Sequence, residues 1–286
     1  MKLTFEKEEG VLPERAFPRP IACRSSASWI FAQAVRTSAF SRVDLLAVLF
    51  MVALLGTWLV VGRMGEYGRT ARCAANLAAL GKAMQNYADE NAESLPAAGI
   101  DLNKTQTCWD KKILPYLKAG KAGATSERFF ESAPRFFVCP SDSAPHKQTP
   151  RSYAMNGNDM WPDDWPPGPD SATGVGLWWN QQTVSTLLPD QAPQKPEALP
   201  TVKLSVIPDP ANTLLLTELI SSTNLLGSLG QATVFESTQE LPASKDKGVP
   251  FHHGKFNYLM VDGHVESLTV LQTSGVGGIW TLKKGE

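Results

Sequence analysis

Cysteine is scarce in this chain: four residues in 286, with no CxxC spacing among them. That excludes a disulfide scaffold and the common structural zinc modules. Neither sign of charge is in excess. Lys and Arg number 27 and Asp and Glu 28, so there is no basic surplus to neutralise a phosphate backbone. Nucleic acid is therefore not an expected partner. No Gly-rich oxyanion loop and no nucleophile elbow is present. What the chain does have is 43% hydrophobic residues against 19% charged, enough to bury a real core. Its 21 prolines, many in the middle third, point to long irregular connections rather than a compact α/β enzyme.

The distribution of charge says more than its sum. Five arginines and no acid lie between Arg15 and Arg42, and from Leu45 to Val61 seventeen residues pass without a charge. As a helix that run spans roughly 25 Å, enough for a thin bilayer. The arginines before it predict a cytoplasmic N-terminus and a translocated remainder. The run is longer than a signal-peptide core, and no small-residue cleavage site follows it before Arg63. Beyond it Cys73, Leu77, Leu80, Met84 and Tyr87 recur at helical spacing as one packing stripe, ended near Asn91 to Pro96. The expectation is one helix of about fifty residues, apolar first and amphipathic second.

The mouth of that helix reads Phe40-Ser41-Arg42-Val43-Asp44-Leu45-Leu46. It resembles the type IV prepilin class III signal, in which a small residue precedes Phe and an acid holds the fifth mature position. The resemblance implies that a prepilin peptidase cuts after Ala39 and methylates the new amino group on Phe40. It also implies that Asp44 pairs with the N-terminal amine of a neighbouring subunit, since an unpaired carboxylate near a bilayer is costly. Two positions depart from the usual pattern, Ala39 for Gly and Asp44 for Glu, and the leader of 39 residues is long. A plain uncleaved signal anchor is the alternative.

Past Pro96 the pattern breaks into short pieces. Residues 113–117 suggest a short helix closed by Pro115, while 136–139 and 152–157 suggest strands. Residues 158–203, with Trp161, Trp165, Trp178 and Trp179 among prolines, look like one long loop that covers the core or a partner. Residues 213–218 form a β-type run. Residues 255–261 and 264–269 flank Asp262-Gly263, which predicts a two-residue type I′ hairpin pairing Met260 with Val265 and Tyr258 with Ser267. In that register Val261 faces His264 and Leu259 faces Glu266. The fold class expected is α+β, with the long helix packed on a mainly antiparallel sheet.

His252, followed by nine residues and then Asp262-Gly263, is similar to the H-X9-DG domain that accompanies prepilin-like N-termini in planctomycetes, verrucomicrobia and their relatives. Cys139-Pro140-Ser141-Asp142, Ser152-Tyr153-Ala154-Met155-Asn156 and Pro210 to Glu218 also look like segments of those proteins. Together the pieces run from about residue 40 to 270. The resemblance implies a pilin-like architecture: a basic cytoplasmic leader over 1–39, a prepilin-type helix over 40–92 spanning the membrane at 45–61, and a head over 93–286 carrying the motif at 252–263.

The head admits three chemical readings. His252, His253, Asp262 and His264 are residue types that ligate a divalent metal. Alternatively Asp262-Gly263 only makes the turn, and His252 bonds a loop carbonyl or carboxylate as an anchor. The second reading is preferred, because the hairpin already requires Asp-Gly; it expects no three further ligands to converge on His252. Cys139 and His252 are also the types of a nucleophile–base pair, but nothing around them supplies an oxyanion loop, and no catalytic residue is assigned. No cofactor is assigned either, calcium at Asp159, Asp163 and Asp164 being the one ion left open. Cys108 and Cys139 are a candidate disulfide if the head lies in an oxidising periplasm. Cys73 reads as packing and Cys23 as part of the leader.

The sequence thus leads to a non-catalytic pseudopilin-like assembly protein of a type II secretion-like or type IV pilus-like system. It would be single-pass in the inner membrane, with the head periplasmic or extracellular. Its partners would be the prepilin peptidase, other pseudopilin subunits and the inner-membrane assembly machinery. The alternative is an uncleaved membrane-anchored binding protein that uses the Trp/Pro-rich loop.

Overall fold

A computed structural model describes residues 41–117, 133–158, 174–190, 195–235, 252–273 and 278–282, with residues 59–64 and 196 described by backbone alone. The chain divides into two units, residues 1–51 and 52–286. In the first, the described residues are the opening turns of helix α1 (Arg42–Glu90). Ser41 Oγ accepts from the N–H groups of Val43 (3.1 Å) and Asp44 (3.4 Å), and Asp44 Oδ2 accepts from the Ser41 N–H at 3.0 Å. This reciprocal pair is a capping box, which satisfies helix N–H groups that have no carbonyl partner. The apolar side chains that follow, from Val43 to Met51, are exposed.

In the second unit the exposed apolar run continues through Val52, Leu54, Leu55 and Trp58. From Cys73 onward the helix changes character: Cys73, Leu77, Leu80 and Met84 are fully buried, and Tyr87 packs beside them, as the stripe predicts. Among the described residues no helix is long and apolar enough to cross a membrane. The expected span 45–61 runs into residues 59–64, whose side chains lie outside the described ones.

The stripe packs on an eight-stranded sheet ordered β2-β1-β4-β3-β5-β7-β8, with β6 also pairing β3. The strands are β1 (Gly99–Leu102), β2 (Thr105–Cys108), β3 (Tyr153–Asn158), β4 (Gly176–Asn180), β5 (Leu214–Glu218), β6 (Thr233–Val234), β7 (Phe256–Met260) and β8 (Val265–Leu268). The class is α+β as expected, but the sheet is mixed: four pairings are antiparallel and three, β1–β4, β3–β4 and β3–β6, are parallel. Parallel neighbours cannot be joined by a tight hairpin and need a longer connection. Helix α1 comes close enough to β7 that a Cβ on Gly81 would meet Leu259 Cδ1 at 2.9 Å, so glycine is what lets the two elements approach. On the opposite face Tyr258, Met260 and Phe256 form a second cluster, covered by Val270 of helix α4 (Val270–Thr273), Ile279 and Trp280.

Three local expectations are corrected. The loop expected over 158–203 contains β4 and helix α3 (Gln181–Leu187), which Asn180 and Thr183 open with a capping box. Trp178 and Trp179 are strand residues, and Trp179 is fully buried with Nε1 donating to the Pro200 carbonyl at 2.9 Å. Phe136 and Phe137 belong to a 3₁₀ turn over Ala133–Phe137, not a strand. The Asn76 amide takes the carbonyls of Arg135 (3.3 Å) and Val138 (2.9 Å), so the segment follows the helix instead of a ladder.

The last hairpin pairs Leu259 with Val265 and Asn257 with Ser267, one residue away from the expected register. Its loop has three residues: Met260 N–H donates to the His264 carbonyl at 2.9 Å and Gly263 N–H to the Met260 carbonyl at 3.0 Å. Gly263 has φ +97° whereas Asp262 has no positive φ, so only one left-handed position is used and the turn is not type I′. This is the three-residue hairpin with a glycine bulge.

A buried polar centre ties α2 (Trp109–Ile113) to the start of β3. Arg151 is fully buried, and it donates to Asp110 (2.7 Å), Asn224 (2.8 Å), Cys108 Sγ (3.7 Å) and the carbonyls of Ser228 and Gly230 (both 3.1 Å). Every guanidinium donor is used, which is what makes a buried ion pair tolerable. The candidate Cys108–Cys139 bridge does not form. Cys108 is a free, buried thiol donating to Asp110 Oδ1 at 2.7 Å. Burial, reinforced by the Asp110 carboxylate, pushes it up to about 12, so it is unreactive at neutral pH.

Candidate functional site

The segments that look separate in the sequence meet at one buried point beside α1. Cys73 on the helix stripe is bridged to Cys139, with Cα atoms 5.0 Å apart across a sequence separation of 66. The Cys73 position expected to do nothing but pack therefore carries the cross-link. Helical spacing alone does not distinguish a bridged cysteine from a packed one, and its partner comes from a distant turn.

That turn, Cys139 to Asp142, is held from several sides. Cys139 N–H donates to Ser152 Oγ at 3.0 Å, the Ser152 hydroxyl donates to Asp142 Oδ2 at 2.6 Å, and His146 Nε2 lies 3.1 Å from both Asp142 oxygens. The Ser141 hydroxyl donates to Glu66 Oε1 at 3.1 Å, tying the turn to the helix a second time.

Against the bridge sits His252, 1% exposed. Its Nε2 is 2.9 Å from Glu218 Oε1 and 3.3 Å from Cys139 Sγ, while Nδ1 is 2.9 Å from Thr70 Oγ1. Its backbone N–H donates to Glu66 Oε1 at 3.0 Å. Glu218, at the end of β5 and fully buried, accepts from the Asn257 N–H (2.8 Å) and the Asn257 amide (3.0 Å) as well as facing His252. His252, His253 and Gly254 all have positive φ, 53°, 58° and 84°. Two consecutive non-glycine residues in that region are strained by roughly 1–2 kcal/mol each, a cost the surrounding contacts must offset.

The geometry tests the sequence readings residue by residue. His252 lies within hydrogen-bonding reach of a carboxylate, Glu218 Oε1 at 2.9 Å. The further expectation that no three ligands converge on it is corrected: ligand atoms of Cys73, Cys139, Glu218 and His252 all lie within 4.8 Å of one another. The other quartet does not assemble. His253 stacks on Tyr67 with ring centroids 4.5 Å apart, and Asp262 and His264 form an exposed pair at 2.6 Å in the hairpin. Gly263 occupies the bulge and Asp262 Oδ1 accepts the His264 N–H at 3.0 Å, so both serve the turn. Ala39, Phe40 and the acids Asp159, Asp163 and Asp164 lie outside the described residues, as do Trp161 and Trp165.

Cys139 Sγ and Glu218 Oε1 both face His252 Nε2, while Glu66 Oε1 lies 3.4 Å from Nδ1. The sulfur is spent in the bridge. Glu66 stands at the outer edge. Burial pushes its carboxyl up, but the Arg69 guanidinium, the His252 N–H and the Ser141 hydroxyl outweigh that and bring it down to about 2. Glu66, Thr70 and Glu218 carried no sequence signal of their own. Glu218 ends the run from Pro210 and reads there as the end of a strand. No protein-family model, no curated protein and no solved structure matches this chain.

Proposed function

We propose that this protein is a non-catalytic, pseudopilin-like structural subunit of a type II secretion-like or type IV pilus-like assembly. The observation that carries the reading is the contrast along α1. Its large apolar side chains from Val43 to Trp58 are exposed, while those from Cys73 to Met84 are buried in the head. An exposed apolar stretch of that length needs lipid or partner helices to cover it. The single acid among it, Asp44, is the residue that would set the register between neighbouring helices.

The buried site supports a holding role. A disulfide, two carboxylates and a histidine fasten α1 to the turn at 139–142, to β5 and to β7. Disulfides persist in oxidising compartments, which supports a head exported beyond the inner membrane. The Trp/Pro-rich loop of the alternative binding-protein reading gains no support from Trp179, which is core.

Intact-mass analysis of the protein extracted from membranes tests the proposal. The expected mass lacks residues 1–39 and carries one added methyl group on Phe40. A full-length, unmodified chain would overturn processing and the filament role with it.

A further inference from the structure

We infer that the Cys73–Cys139 pair is one of two forms of a single buried site, and that the reduced chain binds Zn2+ there through Cys73, Cys139, His252 and Glu218. This goes beyond the assembly role and does not depend on it. The donor set, two thiolates, an imidazole and a carboxylate, is the mixture that selects zinc among the common divalent ions.

The spacing fits. Zinc–ligand bonds of about 2.3 Å to sulfur and about 2.0 Å to nitrogen place neighbouring ligands about 3.5 Å apart on a tetrahedron's S–N edge. Cys139 Sγ and His252 Nε2 already stand 3.3 Å apart, and the four ligand atoms lie within 4.8 Å of each other. The two sulfurs have to separate to about 3.8 Å, and Nε2 and Glu218 Oε1 from 2.9 Å to about 3.3 Å, in such a tetrahedron.

The surroundings fit as well. The Thr70 hydroxyl donates to the Glu66 carbonyl at 2.9 Å, so its oxygen is left to accept from His252 Nδ1–H at 2.9 Å. A zinc-bound Nε2 carries no proton, so its contact with Glu218 Oε1 at 2.9 Å gives way on binding, while Nδ1–H keeps Thr70 as the supporting hydrogen bond that a zinc-bound histidine requires. Asn257 holds both Glu218 oxygens, and can keep the carboxylate aimed once Oε1 passes from histidine to the ion.

Conversion between the forms is a two-electron step. A dithiol reductant gives two electrons and two protons to the bridge, yielding the Cys73 and Cys139 thiols and a cyclic disulfide of the reductant. Zinc then displaces the two thiol protons, and the proton held between Nε2 and Glu218, to solvent as it forms two Zn–S bonds and the Zn–N bond. Since both sulfurs are buried, this occurs most readily in a chain that folds before it is oxidised.

The experiment uses the full-length chain in detergent, reduced with a phosphine that is converted to its oxide with oxygen and protons from water, and titrated with Co2+ and then Zn2+. Expected are one Co2+ per chain with the intense visible and thiolate charge-transfer bands of a tetrahedral site, displacement by Zn2+, and protection of Cys73 and Cys139 from alkylation. The oxidised chain should give none of these signals. His252→Ala and Glu218→Ala should each weaken Co2+ binding at least tenfold, with circular dichroism checking that they remain folded. The Cys73→Ser/Cys139→Ser variant, which cannot form the bridge either, should show no thiolate band. Reduced wild-type chain that takes up no Co2+, whether folded or not, overturns the inference. So does binding that survives undiminished in folded His252→Ala and Glu218→Ala.

Discussion

His252 Nε2 lies 2.9 Å from Glu218 Oε1 with both side chains excluded from water, although 34 residues separate them in the chain. Removing one member of such a pair leaves the other polar group buried without its partner, which typically costs about 3 kcal/mol. His252→Ala should lower the unfolding free energy of the oxidised full-length chain by about that amount in urea titrations. Adding Glu218→Leu to it should cost less than the sum of the single changes, because the uncompensated carboxylate goes with it. Additivity of the two would show that the pair is not coupled. Chelator should leave the oxidised protein's unfolding midpoint unchanged.

The Cys73–Cys139 bridge closes a separation of 66 residues. Constraining the unfolded chain over a loop of that size is worth about 4 kcal/mol. Cys73→Ala/Cys139→Ala should therefore lose several times more stability than a surface change, whereas Cys108→Ala should leave non-reducing electrophoretic mobility and bridge formation intact. A disulfide found at Cys108 by peptide mapping would contradict this pairing.

Glu66 supplies a pH dependence whose sign follows from its lowered value. Its folded value of about 2 lies below the unfolded 4.5, so its contribution is fully present above pH 4.5 and drains away as pH falls toward 2. Acid titration of unfolding should show this component in the wild type and not in Glu66→Gln, with the two curves converging at the acid end. Parallel curves from pH 5 to 2 would remove Glu66 from the account.

Gly263 sits at φ +97°, and a Cβ there would approach Gln85 Nε2 to 2.9 Å. Gly263→Val should cost about 2 kcal/mol, since a β-branched residue is strained in the left-handed region. Gly263→Asn should cost less, because asparagine visits that region more readily. Equal melting temperatures for the two variants would argue that the bulge does not need a positive φ.

Asp44 has two separable roles. Its carboxylate closes the capping box with Ser41, and in the proposed assembly it pairs with a neighbour's amine. Asp44→Asn keeps an acceptor for the Ser41 N–H but removes the charge, while Asp44→Ala removes both. Incorporation into membrane complexes, followed by crosslinking, should fail for both variants, while processing after Ala39 continues. Rescue by Asn would assign Asp44 to the cap alone.

Much of the fold was legible in the chain. The stripe from Cys73 to Tyr87 has a helical period, so burying it in any head requires the helix that forms. The runs at β3, β5, β7 and β8 carry local apolar patterns with a turn signal between the last two. Strand β4 was not legible. Gly176-Leu-Trp-Trp-Asn lies between parallel neighbours, with Leu177 and Trp179 buried and Trp178 and Asn180 half-buried; its adjacent tryptophans hide that alternation in the sequence, and the strand owes its form to distant partners. The hairpin register escaped for a smaller reason: Asp-Gly serves a two-residue and a three-residue loop equally well, and the contacts of Val261 and Asp262 with Thr213 and Pro210 decide between them.

The sequence by itself determined the local choices: a long helix with a greasy and a stripe-bearing half, short strands and a glycine-dependent turn. Those follow from periodicity and backbone preference, which neighbouring residues impose on each other. Only the tertiary structure decided that Cys73 bridges Cys139, that Cys108 stays a thiol bound to Asp110, and that Glu66, Thr70 and Glu218 converge on His252. Each of those contacts joins residues from different elements. Their free energy is gained only after the sheet has ordered its strands and the helix has docked, and no pattern along the chain encodes a distance that folding has yet to create.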